Sequence, residues 1–152
     1  MRALHCSRRF ALSSIGIASL GSLIRAAGAV AQELRQPSDR SKAGYLARAR
    51  ELREQAVREG DQAYGAVVVR AGTIVGEGRN YVILHTDPTA HAELLAVRDA
   101  ARRLGTADLS DCEVYSTATP CPMCQAALYW ARVRRYHNQN TPPEGVAPRL
   151  SC

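Results

Sequence analysis

From residue 41 to residue 59 the apolar positions Tyr45, Ala49, Leu52 and Ala56 recur at spacings of 4, 3 and 4, the period of one buried helix face. Arginines and glutamates fill the positions between them; Ser38 or Ser41 can cap the helix and Gly60 stops it. The pattern then changes to that of strands. Residues 63–70 are small or β-branched, Ala71-Gly72 reads as a hairpin turn, and residues 73–80 read as the returning strand. A second helix is expected from Asp87-Pro88-Thr89 to the stop at Gly105, with Leu94, Val97, Ala101 and Leu104 on its buried face. Residues 112–116 read as a third strand, Pro120 breaks the chain, and a third helix is expected over 122–132 with Met123, Ala127 and Trp130 on one side. Residues 133–137 could add a fourth strand. Strands alternating with helices imply an α/β layered sheet, neither a bundle nor a sandwich. After Asn138 the period fails, and Pro142, Pro143 and Pro148 mark 138–152 as an irregular or disordered tail.

The N-terminal stretch reads as an address and not as part of this domain. Arg8-Arg9 is followed by 15 uncharged residues, 10–24, diluted by serines and glycines and short for a membrane span of about 20 apolar residues. Ala29-Val30-Ala31 offers the alternating small side chains that a signal peptidase needs. The arginine pair, the weakly hydrophobic middle and Arg25 near the cut resemble a bacterial twin-arginine export signal. The expected layout is a signal peptide over 1–31, a polar linker over 32–40, a domain over 41–137 and the tail over 138–152. A periplasmic or otherwise exported protein follows, with no stable membrane span once the signal is removed.

Composition narrows the partners. At 152 residues, 46% hydrophobic and 22% charged, the chain is one globular domain, and five cysteines are too few for a disulfide scaffold. The net charge of +6 suggests nucleic acid until it is located. Residues 1–31 hold four arginines and no acid, so the remainder carries only +2. Arg48, Arg50, Arg53 and Arg58 are interspersed with Glu51, Glu54 and Glu59, a solvated helix face. A strand-binding protein needs a basic groove, so no nucleic-acid partner is expected.

The chemistry is concentrated in His91-Ala92-Glu93 and Pro120-Cys121-Pro122-Met123-Cys124, each at an expected helix start. Cys-x-x-Cys alone would read equally as a redox pair or a disulfide; the upstream His-x-Glu turns the balance towards zinc. Imidazole nitrogen and two thiolates suit Zn²⁺, and three protein ligands leave a fourth position for water. Both sulfurs can reach one ion from the first turn of a helix, whose N-terminal partial charge favours thiolate. Positions 91 and 93 lie about 200° apart around a helix, so Glu93 is free to carry a proton from water to a leaving amine. Cys112 reads as a buried strand residue, His85 and His137 as hydrogen-bonding or surface histidines, and Trp130 as core.

These residues, with Asn80 and Asp87-Pro88-Thr89-Ala90 ahead of them, resemble the cytidine and deoxycytidylate deaminase superfamily, and Ala127-Leu128-Tyr129-Trp130-Ala131-Arg132 is most similar to its guanine-deaminase branch. The resemblance covers roughly residues 40–137. It implies a three-layer α/β fold, zinc held by His91, Cys121 and Cys124, Glu93 as catalytic proton shuttle, and Asn80, Tyr64 and the backbone of Ala90 around the substrate. The implied reaction is hydrolytic deamination of a free nucleobase or nucleoside, guanine-like or cytosine-like, with release of ammonia. Two departures stand out. Thr119 replaces a glutamate common in the family, and the family's last strand and helix are missing after residue 137. An uncovered fourth strand would be an exposed edge, a motive for a homodimer. The alternatives are a noncatalytic zinc-stabilised domain and, less favoured, deamination within RNA or DNA.

Overall fold

The computed structural model describes residues 33–150. The export signal read in residues 1–31 and the thiol of Cys152 lie outside the described residues. In chain order the elements are α1 (Lys42–Arg58), β1 (Gly65–Arg70), β2 (Thr73–Arg79), α2 (Ala92–Leu104), β3 (Cys112–Ser116), α3 (Pro122–Trp130) and β4 (Arg135–His137). The sheet order is β2-β1-β3-β4; β1 is antiparallel to both neighbours, and β3 and β4 run parallel. Both residues of the tight turn between β1 and β2 have positive φ, 47° at Ala71 and 76° at Gly72, as a two-residue hairpin requires. Gly72 adopts this freely; at Ala71 it costs roughly 1 kcal/mol.

Strand β1 is buried on both faces, which makes the fold three-layered. Val67 and Val69 face Tyr45, Leu46 and Leu52 of α1, while Ala66 and Val68 face a second core containing Ala96 and Val97 of α2 and Leu128 of α3. The face read for α1 is the buried one: Tyr45, Ala49, Leu52 and Ala56 are all enclosed, and Ser41 caps the helix through its side chain.

Helix α2 departs from expectation at both its start and its face. It begins at Ala92, because Asp87 Oδ1 accepts from both the N–H and the hydroxyl of Thr89, at 2.8 and 2.7 Å, and this local turn competes with helix. Its buried face is Ala92, Glu93, Ala96, Val97 and Ala100: of the residues read from the pattern Val97 is buried and Leu104 packs against the core in part, whereas Leu94 and Ala101 are only half-buried. The cause lies in β2: a Cβ at Gly76 would stand 2.6 Å from both Ala100 N and Ala96 O, and one at Gly78 would collide with the backbone of Ala92. The helix rides on the glycines, and only small side chains fit between them.

Helix α3 buries Cys124 and Leu128, whereas Trp130, read as core, is 74% exposed. Strand β4 is three residues long, beginning at Arg135 and not at Val133. The tail is irregular but folds back. Tyr136 and Val146 exchange two backbone hydrogen bonds of 2.8 and 2.9 Å, and Lys42 Nζ donates to Thr141 O at 2.8 Å. The chain therefore covers its own β4 edge at Tyr136, which reduces the exposed edge that would favour pairing with a second copy. Among the described residues there is no fifth strand or closing helix after β4, and no helix is long and apolar enough to cross a membrane.

Candidate metal centre and pocket

Because β1 runs against β2 and β3, the last residues of β2 and β3 and the first of β1 meet at one end of the sheet. The N-termini of α2 and α3 reach the same end, with His91 and Cys121 as their N-cap residues and neither side chain used for capping. His91 and Cys121 are thus free to face each other, and Pro122 at the first helical position fixes the turn that brings Cys124 round beside Cys121.

The His91, Cys121 and Cys124 ligand atoms all lie within 4.8 Å of one another, and His91 Nδ1 is 3.6 Å from each sulfur. A tetrahedral ion with bonds of about 2.3 Å to sulfur and 2.05 Å to nitrogen places N and S about 3.6 Å apart. The donor set therefore fits zinc in geometry as well as in chemistry. Burial, with the Glu93 carboxylate next in weight, pushes the Cys124 thiol well above the ordinary cysteine range. A divalent cation held by these three groups would supply the positive charge that favours thiolate.

Glu93, in the first turn of α2, is 5% exposed. Its Oε1 accepts from the hydroxyl of Ser116 at 2.8 Å, and Oε2 lies 3.7 Å from Cys124 Sγ. Ser116 ends β3 and is wholly buried, so the sheet itself orients the carboxylate. His91, Glu93, Cys121, Asn80 and Tyr64 line a cavity of about 210 Å³ with Gln62, Ala118 and Thr119. Ala90 is not among its lining residues: its amide donates to Asp87 O at 3.1 Å and is already occupied. Thr119 accepts from Asn138 Nδ2 at 3.1 Å, so the position where a glutamate was missed ties the pocket rim to the tail.

Asn80 is 1% exposed and depends on Asp61, a residue sequence reasoning missed. Asp61 receives Asn80 Nδ2 at 2.8 Å and the backbone amides of Gln62, Ile83 and Leu84 at 2.7, 3.1 and 2.9 Å. Burial would raise its carboxyl, but these donors outweigh burial and hold it below the usual range. Asp61 stands in Gly60-Asp61-Gln62, which reads as a helix stop; Ser116 reads only as the end of a strand. Neither type nor spacing marks them out.

The other candidates are elsewhere. His85 stacks on Tyr81 with ring centroids 4.4 Å apart. His137, 3% exposed, stacks on Tyr115 at 4.5 Å with Nε2 3.2 Å from Glu113. Cys112 is buried, and burial pushes its thiol up to about 12. A larger groove of about 710 Å³ shares Gln62 and Tyr64 with the pocket and is flanked by Arg50 and Arg53.

Residues 39–138 match the cytidine and deoxycytidylate deaminase zinc-binding region. Over 69 residues the chain is 52% identical to guanine deaminase of Bacillus subtilis, covering 45% of this chain and 44% of that protein. The crystal structure of that guanine deaminase superposes with a TM-score of 0.59 at 44% identity over 62% of each chain. Over 86 residues it is 44% identical to the tRNA-specific adenosine deaminase of Aquifex aeolicus, covering 55% of this chain and 57% of the other. A solved tRNA:A34 deaminase gives a TM-score of 0.64 at 31% identity, over 72% of this chain and 85% of that one. The chain spans about half the length of the curated relatives it matches. With its helix-borne His, Cys and Cys at zinc spacing and a family match across the whole sheet, this chain belongs to the cytidine and deoxycytidylate deaminase family of zinc-binding proteins.

Proposed function

We propose that the protein is a zinc-dependent hydrolytic deaminase of a free nucleobase or nucleoside, guanine-like or cytosine-like, that releases ammonia. One observation carries this: a buried carboxylate, Glu93, is held by Ser116 beside the three-ligand set in a cavity that Asn80 also lines. Zinc, when bound, activates water as a nucleophile. Glu93 would carry the two protons of the attacking water in turn, one to the ring nitrogen beside the carbon attacked and one to the exocyclic nitrogen. The water oxygen becomes the product carbonyl, the bond to the exocyclic nitrogen breaks, and ammonia leaves. Asn80 and Tyr64 orient the ring. At about 210 Å³ the cavity is below the 300–1,000 Å³ of drug-sized sites, which favours a single heterocycle.

A second reading, deamination of a base within RNA, is supported by the likeness to tRNA-specific adenosine deaminase. The charge of +2 outside residues 1–31 favours the free base. Ammonia release from guanine, adenine, cytosine, cytidine and tRNA, with and without zinc, tests both. Zinc-dependent release from a free base or nucleoside is expected; release from tRNA alone would transfer the proposal to the second reading. Glu93→Ala excludes a purely structural zinc domain if turnover falls by 10²-fold or more while zinc content holds. Export through the Arg8-Arg9 signal is proposed as well, and cell fractionation with N-terminal sequencing tests it by a cut before Gln32.

A further inference from the structure

The hydrogen bonds around Asn80 determine what it can offer a ligand. A carboxylate only accepts, so Asp61 Oδ1, 2.8 Å away, must face the amide nitrogen of Asn80 and not its oxygen. The same nitrogen also lies 3.3 Å from Gln62 Oε1. Its two hydrogens are therefore both engaged. The carbonyl oxygen, Oδ1, is buried and has no partner, in a residue that is 1% exposed and lines the cavity. A buried acceptor left unpaired is a cost that a ligand donor would relieve.

We propose that Asp61 is a positioning residue that makes Asn80 a pure acceptor, so that the site selects amines presenting an N–H or O–H donor to it. The inference rests on the deaminase reading for its substrate class, but the orientation of Asn80 stands independently of turnover. The donor is either a ring N–H of the base or a sugar hydroxyl of a nucleoside. A heterocycle offering only a lone pair at that point leaves two acceptors facing each other. Sites built to hydrogen-bond a substrate group reject analogues lacking it far more strongly than apolar pockets reject a missing methylene.

Two measurements test this. In the first, kcat/KM is compared for each accepted substrate and its counterparts with one ring N–H methylated or one sugar hydroxyl removed, in wild type and in Asp61→Asn. The substituted side chain can donate as well as accept, which lets the Asn80 amide turn over. Wild type is expected to lose at least about a hundredfold for one counterpart, and Asp61→Asn to reduce that penalty to under about tenfold with zinc per chain unchanged. The counterpart that fails identifies ring N–H or hydroxyl. An unchanged penalty in a folded, zinc-loaded Asp61→Asn protein overturns the proposal, and so does a wild type indifferent to every counterpart. The second measurement needs neither turnover nor a stable variant. Hydrogen exchange of the Asn80 side-chain amide in the wild-type protein, followed by NMR, is expected to show both hydrogens protected. Rapid exchange of both would overturn the orientation even if deamination is found, whereas protection without any deamination would overturn only the function reading.

Discussion

Gly78→Ala should damage the metal centre although Gly78 touches no candidate ligand. A methyl at Gly78 would fall on the carbonyl of Ala92 and stand 2.5 Å from Ala96 N, where ordinary contact begins at 3.4 Å. Relief requires the first turn of α2 to lift from the sheet by about 1 Å, and that turn carries His91 and Glu93. Overpacking of this kind costs roughly 1–3 kcal/mol, offset by about 0.5–1 kcal/mol from removing a strand glycine. A net loss of about 1–2 kcal/mol lowers Tm by roughly 4–8 °C. Under the proposed deamination, displacement of His91 and Glu93 by about 1 Å should reduce kcat on the order of 10²-fold. The assays are a thermal melt, zinc affinity by chelator competition, and ammonia release. Gly105→Ala is the control: Gly105 has φ of 67° with nothing within 4 Å of its virtual Cβ, at the far end of the same helix. It should cost about 1 kcal/mol of stability and leave zinc affinity unchanged. If Gly78→Ala melts within 1–2 °C of wild type and keeps its zinc affinity and turnover, the close helix–sheet approach does not position the site.

Two further outcomes follow from hydrogen bonding and burial. Ser116→Ala removes the donor to Glu93 Oε1, and a hydrogen bond to a charged group is worth about 1.5–3 kcal/mol, so steady-state kinetics should show kcat reduced roughly 10- to 100-fold with KM and zinc content little changed. His137 is held below the usual histidine range, by burial first and against the opposing pull of Glu113. Its folded value therefore lies below its unfolded value near 6.5, so its contribution to stability is complete above about pH 6.5 and is lost as pH falls towards the folded value. Chemical denaturation between about pH 7 and 5 should show this decline, and His137→Gln should flatten it.

Much of the site was legible because its chemistry is local in sequence. Two ligands share one helical turn that Pro122 opens, and His91 and Glu93 are two residues apart, so their type and spacing suffice even though the start of α2 lies later than Asp87-Pro88-Thr89 suggests. The α1 face and the hairpin were legible for the same reason: Tyr45, Ala49, Leu52 and Ala56 carry the period themselves, and Ala71-Gly72 announces the turn. On helix α2 the apolar period picks out Val97 correctly but not Ala92, Ala96 and Ala100, because it is the glycines of β2, a separate strand, that bring those alanines against the sheet. Spacing alone points Trp130 inward, but Cys124 must face the ligand set, and this rotates Leu128 inward and Trp130 out. The edge of β4 was expected to be bare because a stretch with three prolines shows no period, yet the one two-bond bridge at Val146 needs none. Asp61 was invisible because its role lies in partners 19 to 23 residues away that local patterning does not register.

The metal centre underlies the proposed chemistry. Native mass spectrometry of the purified protein, reconstituted with zinc and then dialysed, should give one zinc per chain, lost when Cys121 and Cys124 are both replaced by serine while the fold persists by circular dichroism. A wild-type protein that retains no zinc, or a double variant that retains it fully, would contradict the central claim.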